Sequence, residues 1–255
     1  MSVPAHAPPT VYGSGPHKVL ALHGWFGHAG AWGPMVEHID PARFTFAFVD
    51  NRGYGKNIGV TGSYTAEEIV ADAMAAATAL GWERYAVLGH SMGGMFAQLL
   101  AARDAGRVSA VVGLCAVPAS GYPFDEASWG FFASAAASPE VRYAILDLTT
   151  GKRLGATFLN ALLRSSLAHS TEAAFAGALV AWGRTDFSAE LADVRVPVHI
   201  LAGQHDPAVG IALLEGTTQR HLPQAEVEVL ANSGHYPMFE VPAFLAARLE
   251  SLLAV

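Results

Sequence analysis

The chain has 255 residues, 52% of them hydrophobic and only 15% charged, which excludes a disordered polar chain and allows one large α/β domain with a full core. Its formal net charge of −7, with no cluster of Lys or Arg, argues against a nucleic acid or an anionic membrane as partner. A lone cysteine, Cys115, excludes an internal disulfide and suits a reducing cytoplasm, residues 1–16 lack the basic and apolar regions of a signal peptide, and no apolar run is long enough to span a membrane.

Short apolar runs bounded by turn residues predict buried strands at 18–22 (KVLAL), 45–49 (TFAFV), 85–89 (YAVLG), 110–114 (AVVGL) and 196–203 (VPVHILAG). The run 225–230 (AEVEVL) alternates, with Val227 and Val229 on one side and Glu226 and Glu228 on the other, as in a half-exposed strand near a sheet edge. Helices are expected between them. Thr65 and Glu68 are spaced as a capping box ahead of AEEIVADAMAAATAL. MFAQLLAAR follows Ser91–Gly94, and Pro242 fits the first turn of AFLAARLESLL, where Leu245, Leu249 and Leu252 repeat at helical spacing. Alternating strands and helices imply a mostly parallel sheet covered on both faces. From about 117 to 190 no strand is evident. SWGFFASAAA, GATFLNALLRSSLA and EAAFAGALVAWG read as a helical cap inserted into a single domain spanning 1–255.

The chemistry gathers in four loops that follow strands. GHSMGG (89–94) contains G-x-S-x-G, which a chain of this length holds about 0.1 times by chance. Here it joins a predicted strand to a predicted helix, the setting of a nucleophile elbow, with Gly89 and Gly93 where a Cβ has little room. Ser91 would then stand above the carboxyl ends of the strands, where open α/β sheets bind ligands. A serine needs a general base. His235, in the glycine-containing loop NSGHYPMFE after the last strand, is the candidate; the remaining histidines, His90 and His199 among them, read as surface or structural residues. Asp206, just past the strand ending at Gly203, is placed to hold the imidazole. The rival position, after the strand at 110–114, reads GLCAVPASGY and offers no acid before Asp125, while Asp186 and Asp193 fall in the exit of the cap. The order Ser91, Asp206, His235 is that of an α/β-hydrolase triad. For an oxyanion hole, Met92 offers its backbone N–H at a helix N-terminus and Trp25 offers another from LHGWFG (22–27), with His23 and Gly24 shaping that loop.

The stretches HGW, DNRGYG, GHSMGG, GQHDP and SGHYPMFEVP occur in the order and settings of the α/β-hydrolase superfamily. The chain resembles its serine-nucleophile branch with a helical cap, which includes carboxylesterases, lactonases, C–C bond hydrolases and perhydrolases. The resemblance implies the same triad and oxyanion donors. One departure is Lys56 after Gly55, where many members carry serine; Asp50 and Arg52 are expected to pin that loop. An aspartate in place of Ser91 would mark dehalogenases and epoxide hydrolases, so those are excluded.

The expected activity is hydrolysis of an uncharged, apolar carboxylic ester or lactone through an acyl-enzyme. The same constellation also serves C–C hydrolysis, amide cleavage, acyl transfer or perhydrolysis, and a triad-retaining small-molecule receptor is a further reading. Trp25, Trp129, Phe132, Phe158, Trp182 and Tyr236 are expected to line the substrate pocket, while Arg142, Lys152, Arg153, Arg164 and Arg184 are the cap's few basic residues. No phosphate loop or metal-ligand cluster is visible, so no cofactor or metal is expected, and the partner is a small-molecule substrate.

Overall fold

In the computed structural model, residues 6–254 are described; residues 1–5, part of the segment read above for a signal peptide, lie outside the described residues. Seven strands form one sheet: β1 (Thr10–Gly13), β2 (His17–Leu22), β3 (Phe44–Val49), β4 (Tyr85–His90), β5 (Val108–Leu114), β6 (Val198–Gly203) and β7 (Glu226–Leu230). Their order across the sheet is β1-β3-β2-β4-β5-β6-β7, and all pairs are parallel except β1 with β3. β3, β4 and β5 are buried at every residue, which is why they read as unbroken apolar runs. β1 escapes the sequence pattern because it is four residues long and lies on the sheet edge, paired antiparallel from Thr10↔Phe48 to Gly13↔Thr45.

Register places the functional loops together. Leu22 lies opposite Gly89, His90 opposite Leu114, Leu114 opposite Leu201, and Gly203 opposite Leu230. The carboxyl ends of five adjacent strands therefore form one row, and the loops that follow them emerge side by side.

Side chains alternate between two cores. Leu20 and Leu22 of β2 join Ile69 and Val70 of α1 (Ala66–Ala79) and Phe96 and Leu99 of α2 (Met92–Arg103), while Val19 and Ala21 join Leu245 and Leu249 on the opposite face. α2 is apolar on all sides and buried from Met92 to Ala101. Thr65 accepts from the Glu68 N–H at 3.3 Å, but Glu68 bonds the Tyr64 N–H at 2.7 Å and the Arg52 guanidinium at 2.9 Å, so the capping box closes on one side only.

Residues 115–197 add no strand to the sheet. They form α3 (Glu126–Ser134), α4 (Pro139–Thr149), α5 (Ala156–Ala168) and α6 (Glu172–Arg184), followed by a short 3₁₀ turn. α4 is absent from the sequence reading, although Ser138 caps it and Pro139 opens it. Beyond β6 come the short helices α7 (Ile211–Gly216), α8 (Thr218–His221) and α9 (Pro237–Glu240), then α10 (Pro242–Leu253).

β7 is the other sheet edge, in keeping with its alternating pattern, and Val229 on it is 45% exposed. Arg142, one of the basic residues of the helical insertion, is 2% exposed. Its guanidinium lies 3.6 Å from the Phe175 ring centroid and donates to the Ala135 carbonyl and to Ser166 and Ser170 Oγ, tying α3, α5 and α6 together. No described helix is long and apolar enough to cross a membrane.

Candidate active site

Ser91 sits between β4 and α2 with φ 53° and ψ −116°, a left-handed conformation that costs a non-glycine residue about 1–3 kcal/mol and must be held by its surroundings. The holding is steric. A Cβ on Gly93 would stand 2.1 Å from the Leu22 carbonyl oxygen, and one on Gly89 would stand 2.2 Å from that of Gly93. The Ser91 N–H donates to the Leu114 carbonyl at 2.8 Å, and the Ser91 carbonyl accepts from Gly94, Met95 and Val117. Both backbone groups are spent on the fold, and the side chain is left to face the cavity.

The structure brings Ser91, His235 and Asp206 into one hydrogen-bonded line. His235 Nε2 is 2.9 Å from Ser91 Oγ, and His235 Nδ1 is 2.5 Å from Asp206 Oδ2. Asp206 Oδ1 accepts from the N–H groups of Ala208 and Val209 at 2.9 and 3.2 Å. Burial pushes the Asp206 carboxyl up, but His235 and the two backbone donors outweigh it and hold the group below the ordinary aspartate value. An ionised Asp206 fixes the proton of neutral His235 on Nδ1 and leaves Nε2 free to accept from Oγ.

The His235 loop is anchored by a residue to which the sequence reading assigned no role. Glu240 accepts from Gly234 N–H and Tyr236 N–H, on either side of His235, at 2.8 and 3.1 Å, and pairs with Arg153 at 3.0 Å. The only sequence signal was a buried-looking acid in PMFE. His90 supports the same loop: its Nε2 donates to the His235 carbonyl at 2.7 Å.

The loop 22–27 folds as a turn closed by Gly27 N–H to the Gly24 carbonyl at 2.9 Å, which leaves the N–H of Trp25 outside the turn's own bond. His23 stiffens it, donating from Nδ1 to the Gly24 carbonyl at 2.8 Å and accepting at Nε2 from Asn51 N–H at 3.2 Å. The Trp25 indole donates to the Phe175 carbonyl at 2.7 Å and stacks on that ring at 4.1 Å, so the loop is fastened to α6. Met92 opens α2, where the first N–H groups have no partner within the helix. Asp50 accepts from Ala29 N–H and Lys56 N–H, while Arg52 makes a two-pronged bond to Asp72, so both hold the 50–56 loop.

A narrow cavity of about 40 Å³ opens beside Ser91 and His235. Of the residues expected to line it, Trp25, Phe132, Trp182 and Tyr236 do so. Trp129 does not: its ring lies under the Arg184 guanidinium, 3.9 Å away, in an open surface groove. Phe158 lines a neighbouring cavity instead. Further wall residues include Phe26, His90, Tyr122, Ile145 and Val209, which carried no periodic signal that would mark them as lining. Asp125 is exposed and caps α3 with Ser128, outside the cavity lining, and Asp186 caps the turn at Ser188. The rival acid position after β5 holds Cys115, a buried thiol that burial raises well above its ordinary pKa. Among the described residues, Cys115, Asp206 and His235 are the one group whose ligand atoms lie within 4.8 Å of one another. Within this set the thiol donates to the Gly234 carbonyl at 3.6 Å, and Asp206 and His235 are bonded to each other.

Burial also makes the site acid-sensitive. His90 is pushed down to about 3, first by burial and then by the His235 ring beside it. His28 is pushed down to about 4 by burial, by His169 stacked 3.9 Å away and by His23, with Asp50 opposing. In the unfolded chain both titrate near ~6.5. The folded state therefore binds fewer protons below that value, and the stability they confer, complete above about pH 6.5, is lost as pH falls toward 3–4. For fully buried His90 the slope is about 1.4 kcal/mol per pH unit in that window; solvent screening reduces it for His28. Urea midpoints from pH 7 to 4 should show His90→Gln losing less stability per pH unit than wild type. Equal slopes would show that His90 is not the buried neutral group.

A family model for the α/β-hydrolase fold matches residues 18–242. A pimeloyl-[acyl-carrier protein] methyl ester esterase of Nitrosomonas europaea is 28% identical, over 94% of this chain and 96% of that one. Its counterpart in Xanthomonas campestris pv. campestris is 31% identical, over 89% and 90%. Among solved structures, an esterase from Exiguobacterium antarcticum superposes with a TM-score of 0.86 at 18% identity, over 96% of this chain and 94% of that one, a likeness of fold. With the family match running from β2 into α10 and a relative above 30% identity along most of its length, the chain belongs to the α/β-hydrolase family.

Proposed function

We propose that the protein is a cofactor-independent serine hydrolase of uncharged carboxylic esters or lactones. The hydrogen-bonded line from Ser91 Oγ through His235 to Asp206 carries this reading. Ser91 attacks the carbonyl carbon while His235 Nε2 takes its proton, and the N–H groups of Met92 and Trp25 receive the developing oxyanion. His235 returns the proton to the leaving alcohol, then activates the water that releases the acid. The helices within 117–190 act as a cap, and α6 presents Trp182 to the substrate cavity. The curated relatives named above are methyl ester esterases, in line with ester cleavage. The single buried Cys115 suits a reducing cytoplasm.

The cavity walls beside Ser91 carry no Lys, Arg, Asp or Glu, which favours a neutral substrate. Each buried CH₂ adds up to ~0.8 kcal/mol of binding until the space is full. Across p-nitrophenyl esters, kcat/KM should rise from acetyl to a short or medium acyl chain, with a succinyl ester the poorest. A best substrate that is anionic overturns the apolar assignment. Labelling of Ser91 by a fluorophosphonate, with many turnovers per enzyme on an ester, tests the hydrolase itself; labelling with only one turnover would make the protein a ligand receptor.

A further inference from the structure

The cavity beside Ser91 is not the largest space near it. A second cavity of about 370 Å³ adjoins it, against about 40 Å³ for the first, and the two share Phe26, His90 and Tyr236 as walls. The second lies within the size range of small-molecule sites. The segment 23–32 forms one wall with Phe26 and Trp32, α5 another with Phe158 and Leu162, and α9 a third with Met238 and Phe239. Such a surface is built to take apolar matter.

Its polar lining is sparse and almost fully committed. No Lys, Arg, Asp or Glu lines it. His23 spends both ring nitrogens on Gly24 and Asn51, His90 spends Nε2 on the His235 carbonyl, and Ser165 Oγ is paired with His28 at 3.1 Å. Trp32 contributes to the wall through its ring, which packs on Phe48 at 5.7 Å between centroids, while its indole N–H is closed off from the cavity.

We propose that this cavity is a second substrate-binding site. It takes the uncharged apolar arm of the ester for which the space beside Ser91 is too small. The inference deepens the serine-esterase reading and rests on it. The favoured substrate class is thus a neutral ester with a medium-length or cyclic apolar arm.

The experiment fills the space from its rim. Ala161 lines the cavity on α5 and is solvent-exposed, so Ala161→Trp inserts bulk with little burden on the core. Wild type and variant are compared on p-nitrophenyl acetate, p-nitrophenyl octanoate and octyl acetate. The expected result is at least a tenfold fall in the kcat/KM ratio of octanoate to acetate or of octyl acetate to p-nitrophenyl acetate; the ratio that falls identifies the acyl or the alcohol arm as the occupant. Both ratios unchanged would overturn the proposal. Ser91-dependent turnover of p-nitrophenyl acetate is measured alongside, so a protein that hydrolyses nothing refutes the esterase reading, whereas turnover with unchanged ratios refutes only the second site.

Discussion

Ser91→Ala is expected to lower kcat by at least ~10³ while the protein remains folded, and His235→Ala to do the same. The serine side chain makes one hydrogen bond, to His235 Nε2, and its backbone groups carry the elbow. Alanine therefore removes the nucleophile and leaves the Leu114 and Val117 bonds intact. The two residues act as one unit: without Oγ the imidazole has no proton to take, and without the imidazole Oγ remains a neutral alcohol. The double variant should be little worse than either single one. Steady-state turnover of a p-nitrophenyl ester, with thermal unfolding to show an intact fold, decides the matter. Near-wild-type turnover in purified Ser91→Ala would remove the whole mechanism.

Asp206→Asn is expected to cost on the order of 10⁴ in kcat, with little loss of stability, by analogy with other triads. Oδ1 accepts from Ala208 and Val209 N–H, and an asparagine carbonyl oxygen can keep those bonds. Its amide group would then face His235 Nδ1 as a donor. The imidazole must answer with an unprotonated Nδ1, so its proton moves to Nε2, the atom that faces Ser91 Oγ. A protonated Nε2 cannot accept the serine proton. The loss thus comes from the wrong tautomer in an unchanged geometry, and it should appear in kcat far more than in KM. Asp125→Asn is the control, because Asp125 caps α3 and an asparagine caps about as well. A nearly silent Asp206→Asn beside an inactive Asp125→Asn would reverse the assignment of the acid.

The hydrogen-bonded line of Ser91, His235 and Asp206 was legible because each member follows a strand of strong pattern. β4, β6 and β7 announce themselves as apolar or alternating runs, and register then requires their carboxyl ends to meet. Glycine spacing around Ser91 carried the elbow, since a Cβ at Gly93 would collide with the backbone of the 22–27 loop. No acid directly follows β5, where Cys115 occupies the rival position. β1 was not legible, because four residues at an edge hold too little pattern. α4 offered Ser138 and Pro139, a start signal that the aromatic-rich neighbouring segments obscured.

Composition, strand periodicity and short-range motifs by themselves determined the fold class and the chain order of Ser91, Asp206 and His235. They are local properties, set by residues within a few positions of each other. Only the tertiary structure decided which aromatic residues face a cavity. Trp129 and Trp182 are alike in sequence, yet one lies in a surface groove under Arg184 and the other lines the space beside Ser91. The same holds for Arg142, buried against Phe175, for Glu240, clamped on the His235 loop, and for Trp32, whose unpaired N–H faces no partner in its own segment. Each depends on contacts between residues distant along the chain, and no periodicity encodes those: helix packing, not spacing, fixes what a side chain meets.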